Sequence, residues 1–215
     1  MRQRVLVAMA VAAIMACSGC SVTVGSGPVR TETRQVSGFS VVRLSGQGDV
    51  RIVRGPAESL EISAQESLLP RLTSEVSGGT LTLGTKDGTT ITTTEPITYA
   101  VGVRDLQGLE LSGSGTMTAA GLSGPALRVE LSGSGEVRVD GTADRQDVEV
   151  SGSGSYSAAS LASKEATVRI SGSGAADLAV SSALDVDVSG SGSVTYSGDA
   201  KVTQSVTGSG SVSRR

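Results

Sequence analysis

VEVSGSGSYS, residues 148–157, sets two Ser-Gly pairs between a run that alternates apolar and polar residues and a second run that begins the same way. Taken alone, the stretch reads equally well as a flexible linker or as a tight turn between two strands. The rest of the chain separates these readings. Ser112-Gly113-Ser114-Gly115 is followed by the same four residues starting at Ser132, Ser151, Ser171 and Ser189, and Thr207-Gly208-Ser209-Gly210 is a sixth copy with one substitution. Successive copies begin 20, 19, 20, 18 and 18 residues apart. A linker has no reason to keep a period, whereas a repeat architecture requires one.

The flanks say which kind of repeat. Leu109-Glu110-Leu111, Val129-Glu130-Leu131, Val148-Glu149-Val150, Val168-Arg169-Ile170 and Val186-Asp187-Val188 precede the motif. Period-2 alternation in aliphatic and β-branched residues is the pattern of a strand with one buried face. The second residue past the last glycine of each motif is Met117, Val137, Tyr156, Ala176, Val194 or Val212, which starts a second inward-facing strand at the same place in every repeat. No segment here keeps helical spacing, and each glycine would cost a helix roughly 1 kcal/mol. A propeller blade needs about 40 residues. Repeats of 18 to 20 residues fit one coil of an all-β solenoid, a parallel β-helix whose coils stack about 4.8 Å apart. The Ser-Gly pairs are then its corners. Glycine reaches positive φ there, and serine is small enough to stack and offers a hydroxyl for bonds along the stack. The predicted inward ladder is Leu111, Leu131, Val150, Ile170, Val188 and Val206. The variation in repeat length is assigned to the opposite loop, for example 142–146 or 181–183.

Residues 31–108 read as degenerate coils leading into the regular repeats of 109–215. Ser40–Val53, SVVRLSGQGDVRIV, has the strand–turn–strand form, and Leu60-Glu61-Ile62 and Leu81-Thr82-Leu83 look like further rungs. Residues 67–76, with Pro70, read as an excursion, and 86–96 as a long loop.

The N-terminus resembles a bacterial lipoprotein signal. Arg2 and Arg4 precede a 12-residue apolar run over 5–16, too short to span a bilayer comfortably. Ile14-Met15-Ala16-Cys17 matches the pattern in which a small residue precedes a lipidated cysteine. The reading is therefore a signal peptide over 1–16, a lipidated cysteine region and flexible tether over 17–30, and a β-helix domain over 31–215. Cys17 is the expected attachment site, Cys20 is the alternative, and an ordinary cleaved signal is the third option. Processing before Cys17 leaves 16 basic against 21 acidic side chains, a net charge of −5. That balance gives no reason to expect nucleic acid as a partner.

GFSVVRLSGQGDVRIVRG, then LLPRLTSEVSGGTLTLGT, then LQGLELSGSGTMTAAGL, taken in order, resemble the auto-transporter adhesin head domain, also called the GIN domain, over about residues 31–213. The resemblance implies a right-handed parallel β-helix in an exported bacterial protein, with an adhesin-like role and no catalytic motif. An auto-transporter also carries a C-terminal membrane barrel. Here the chain reaches Arg215 inside the repeat, so lipid anchoring is expected to hold it at the cell membrane or outer membrane, outside the cytoplasm.

Chemistry is sparse. There is no histidine, which removes the commonest general base and metal ligand. Gly-x-Gly turns bind phosphate when a helix follows, and none follows here. A calcium β-roll needs an aspartate in every turn, and only Asp49 follows such a turn closely. Glu110, Glu130 and Glu149 are predicted to stack in an outward column, continued by Arg169 and Asp187. This is the candidate face for a cation or substrate, against the plainer reading of a solvated surface. No cofactor is expected. The leading reading is an envelope-anchored binding or adhesion module, with the membrane, a surface glycan or an envelope protein as partner. The alternatives are a structural or stress-linked accessory lipoprotein and, last, a polysaccharide-acting enzyme.

Overall fold

The computed structural model describes residues 21–215. Cys17, Cys20 and the apolar run before them lie outside the described residues.

The chain is a parallel β-solenoid of about five turns. Its first part comprises β1 (Ser21–Val24), β2 (Val29–Arg34), β3 (Val41–Gly46), β4 (Asp49–Arg54), β5 (Ser59–Gln65), β6 (Leu72–Ser77), β7 (Thr80–Thr85), β8 (Thr89–Thr92), β9 (Thr98–Val103) and β10 (Gly108–Gly113). Then come the wraps. β11 (Thr116–Gly133), β12 (Glu136–Gly152), β13 (Ser155–Gly172) and β14 (Ala175–Gly190) each run from one Ser-Gly corner to the next. β15 (Ser193–Ser197), β16 (Lys201–Gly208) and β17 (Ser211–Arg214) complete the stack.

The predicted ladder is in register: Leu111, Leu131, Val150, Ile170, Val188 and Val206 are successive parallel partners. The first five are at most 3% exposed. Val206 is 39% exposed, because β16 pairs only with β14 and no described strand covers its other side. Met117, Val137, Tyr156, Ala176, Val194 and Val212 form the second ladder. Alternation thus fills the lumen from two walls of every coil.

At the corners the first glycine of each motif carries the positive φ: Gly133 at 115°, Gly152 at 111°, Gly172 at 117°. In the first five motifs the second glycine is buried and has no room for a side chain: a Cβ on Gly154 would lie 2.9 Å from the Gly135 carbonyl oxygen. Backbone groups, rather than the serine hydroxyls, carry the bonds along the stack. Ser153 N–H donates to the Gly133 carbonyl at 2.8 Å, and Ser173 N–H to that of Gly152 at 2.8 Å.

The early segment is more mixed than the repeat. β3 and β4 are parallel rungs against β10 and β11, and β7 is a parallel rung on β3. The Leu60 segment, β5, is antiparallel to both β2 and β9. Only four residues join β4 to β5, too few for a parallel crossover. The excursion at 67–76 forms a 3-10 turn (Leu69–Arg71) and β6, which pairs antiparallel with β7. The loop over 86–96 carries β8, and the stretch expected to be a tether carries β1, paired parallel with it. Buried Leu68, Leu69 and Leu72 anchor this end.

Length variation sits mainly at the corner after the first strand of each coil. Register shifts fall between Ala119 and Leu122, Arg138 and Asp140, and Ala158 and Ala162. Residues 142–146 keep an unbroken register with 162–166, so that predicted site of variation is corrected, while a smaller shift does fall at 180–183. Successive corners only report the sum over a coil, which is why the spacing did not locate the insertion.

Two tyrosines lie inside. Burial pushes the Tyr99 phenol up to about 12, with Arg34 pulling weakly the other way, and burial pushes Tyr156 up further. The folded state therefore holds these protons when the unfolded chain has lost them. Their contribution is complete below the ordinary phenol value of 10.0 and declines as pH rises above it. At about pH 11, Tyr156→Phe should leave the phenolate absorbance of the folded protein unchanged and lower it only in denaturant. An equal drop in the folded state would show that the ring is solvated.

Candidate functional site

The column of charges forms as the alternation requires. Arg43, Glu110, Glu130, Glu149, Arg169, Asp187 and Ser205 are successive neighbours on the outer face. The structure brings the three glutamates together and also pairs two of them. Arg43 contacts Glu110 at 2.6 Å, and Arg128 contacts Glu130 at 2.7 Å. Asp147 lies 3.6 Å from Arg128 and 3.3 Å from Arg169. Glu130, by hydrogen bond and charge, raises the Arg128 guanidinium above its ordinary value. Among the described residues no group of three or more His, Cys, Asp or Glu is arranged to hold a metal ion. Partly exposed pairs of this kind contribute up to about 1 kcal/mol each. The face carries ion pairs at Glu110, Glu130 and Asp147.

A second feature has the shape of a site. Past the variable corner, each coil sets down two outward residues with one inward residue between them. The first outward column is Ser123, Thr142, Ala162, Ala179 and Ser197. The inward one is Gly124, Ala143, Ser163 and Val180, with Gly198 following over Val180. Pro125, Asp144, Lys164 and Ser181 form the other outward rank. Because four of the five inward residues are glycine, alanine or serine, the two ranks wall a groove of about 740 Å³ running along the solenoid across five coils. Asp144 and Lys164 meet at 2.8 Å on its rim.

The floor is held from below. Ser163, 6% exposed, donates its hydroxyl to the Ala179 carbonyl at 2.8 Å and accepts from Gln146 Nε2 at 2.8 Å. Gln146, 0% exposed, accepts from the Tyr156 hydroxyl at 2.7 Å. These three side chains tie the three walls of the coil across the lumen. Sequence reasoning missed both groove and network. The available signal was Gln146 itself, a polar residue in the column of Leu127, Ala166 and Leu184.

The fold has relatives. A structure described as a putative adhesin from Bacteroides fragilis superposes with a TM-score of 0.75 at 18% identity, covering 90% of this chain and 100% of its own. A putative adhesin from Parabacteroides distasonis gives 0.57 at 19%, covering 91% and 100%. A protein from the same species described as a putative lipid binding protein gives 0.52 at 22%, with the same coverage. At these identities the likeness is one of fold. No curated protein matches the chain. A family profile described as putative auto-transporter adhesin, head GIN domain, matches residues 38–200. The match takes in the degenerate coils and four wraps of the repeat, and the chain belongs to the GIN-domain family of auto-transporter adhesin heads.

Proposed function

We propose that this protein is an exported, lipid-anchored binding module of the cell envelope that seats an extended ligand along the groove from Ser123 to Gly198. One observation carries the reading: five consecutive coils stack in register along a floor made mostly of glycine, alanine and serine, so the groove is continuous and parallel to the axis. The adhesin-like family and the adhesin and lipid-binding descriptions of its structural neighbours agree with a binding role. Ser163, the one hydroxyl in the floor, already donates to a backbone carbonyl, which fits a structural part in the groove. Cys17 serves as the anchor, with Cys20 as the alternative, and a surface glycan or an extended envelope polypeptide as the partner.

The test is to fill the groove from its wall. Ala162→Trp adds bulk at an exposed position without entering the core. Binding to envelope material and to a glycan array should fall tenfold or more, while Glu130→Ala leaves it within twofold. The opposite pattern would move the site to the charged face.

A further inference from the structure

We propose that the outer face of β1 rests on the membrane surface and fixes how the solenoid stands on it. This rests on the lipid-anchor reading above. β1 and β8 form a two-stranded sheet apart from the main one. In the regular coils the apolar residues of each strand point inward. In β1 the pattern is reversed: Val22 and Val24 are 64% and 63% exposed, the most exposed large hydrophobic residues described, while Thr23 between them is half-buried. Their partners on β8, Thr90 and Thr92, are exposed beside them. Neither strand carries a charge, so approach to a lipid surface desolvates no ion.

Chain length brings this face to the bilayer. Val22 is five residues from Cys17 and two from Cys20, and an extended chain covers at most about 18 Å or about 7 Å over those distances. Two valines cannot hold a soluble protein on a membrane. On so short a tether the contact becomes intramolecular, and a weak interaction is populated at high effective concentration. The consequence is a defined standing orientation in place of a freely swivelling head.

The protein has no tryptophan, so one added residue is a sole reporter. Thr90→Trp places it next to both valines without replacing either, and Val206→Trp serves as the distant control. The full chain is exported, its mature mass is measured, and it is reconstituted in phosphatidylethanolamine–phosphatidylglycerol vesicles with brominated acyl chains. The Thr90→Trp emission should be quenched at least twofold and that of Val206→Trp should not. Adding Val22→Glu and Val24→Glu should remove the quenching while acylation persists. An acylated protein with an unquenched Thr90→Trp reporter overturns the contact alone. A mature mass without acyl chains overturns the anchor and the contact together.

Discussion

Gly152→Val is expected to cost about 2–6 kcal/mol, with a clear fall in the urea midpoint. Two separate penalties meet at this corner. Its φ of 111° strains any branched side chain, by about 1–3 kcal/mol. A Cβ there would also lie 2.6 Å from the Gly133 carbonyl oxygen of the preceding coil. That oxygen accepts the Ser153 N–H at 2.8 Å, so relief of the clash breaks a rung. Overpacking of this kind adds about 1–3 kcal/mol, against a total stability of about 5–15 kcal/mol for a typical domain. Gly55→Ala is the control: nothing lies within 4 Å of its added Cβ, and the change should stay within about 0.5 kcal/mol. Gly208 faces the Gly190 carbonyl in the same way, so any smaller loss at Gly208→Val comes from fraying of the last coil rather than from more room. Equal midpoints for Gly152→Val and the control would return the Ser-Gly motif to a linker.

Gln146→Leu should cost about 2–3 kcal/mol although leucine is about the right size and its column neighbours, Leu127 and Ala166, are apolar. The loss comes from the Tyr156 hydroxyl, which is left buried with no acceptor. Ser163 suffers less, because its own proton still reaches the Ala179 carbonyl. Tyr156→Phe alone should cost about 1–2 kcal/mol by orphaning Gln146 Oε1. The double variant should be more stable than the sum of the two losses by about 1 kcal/mol or more, since it removes donor and acceptor together. Strict additivity in denaturant unfolding would mean that the two groups do not depend on each other.

Much of this was legible before any coordinates. The near-constant spacing of Ser112, Ser132, Ser151, Ser171 and Ser189 implied stacked coils, and the alternation before each gave the inward ladder residue by residue. Alternation alone says which side of a strand is buried and nothing about which way its neighbour runs. Alternation marks Leu60-Glu61-Ile62 as a rung, and it is the short connection from Arg54 that makes it antiparallel. Val206 obeys the pattern and is still exposed, because burial at the end of a stack depends on what covers the coil. The groove was invisible for a further reason. It depends on where in each coil residues are gained or lost, and on Gly124, Ala143 and Ser163 lying one above another, which only the register at the second wall reveals.

The unbroken register from Thr142–Gln146 onto Ala162–Ala166, together with matching corners above and below, makes the coil a unit of measure. Splicing in a second copy of 136–154 would join one Ser-Gly corner to an equivalent one, and would lengthen the molecule by one strand spacing, about 4.8 Å. The groove would grow by the same step, gaining one more Thr-Ala-Asp cross-section. On the proposed binding role, ligand reach is set by counting coils. A lineage of these chains could be tuned to longer or shorter polymers by duplication alone, without redesigning a single contact.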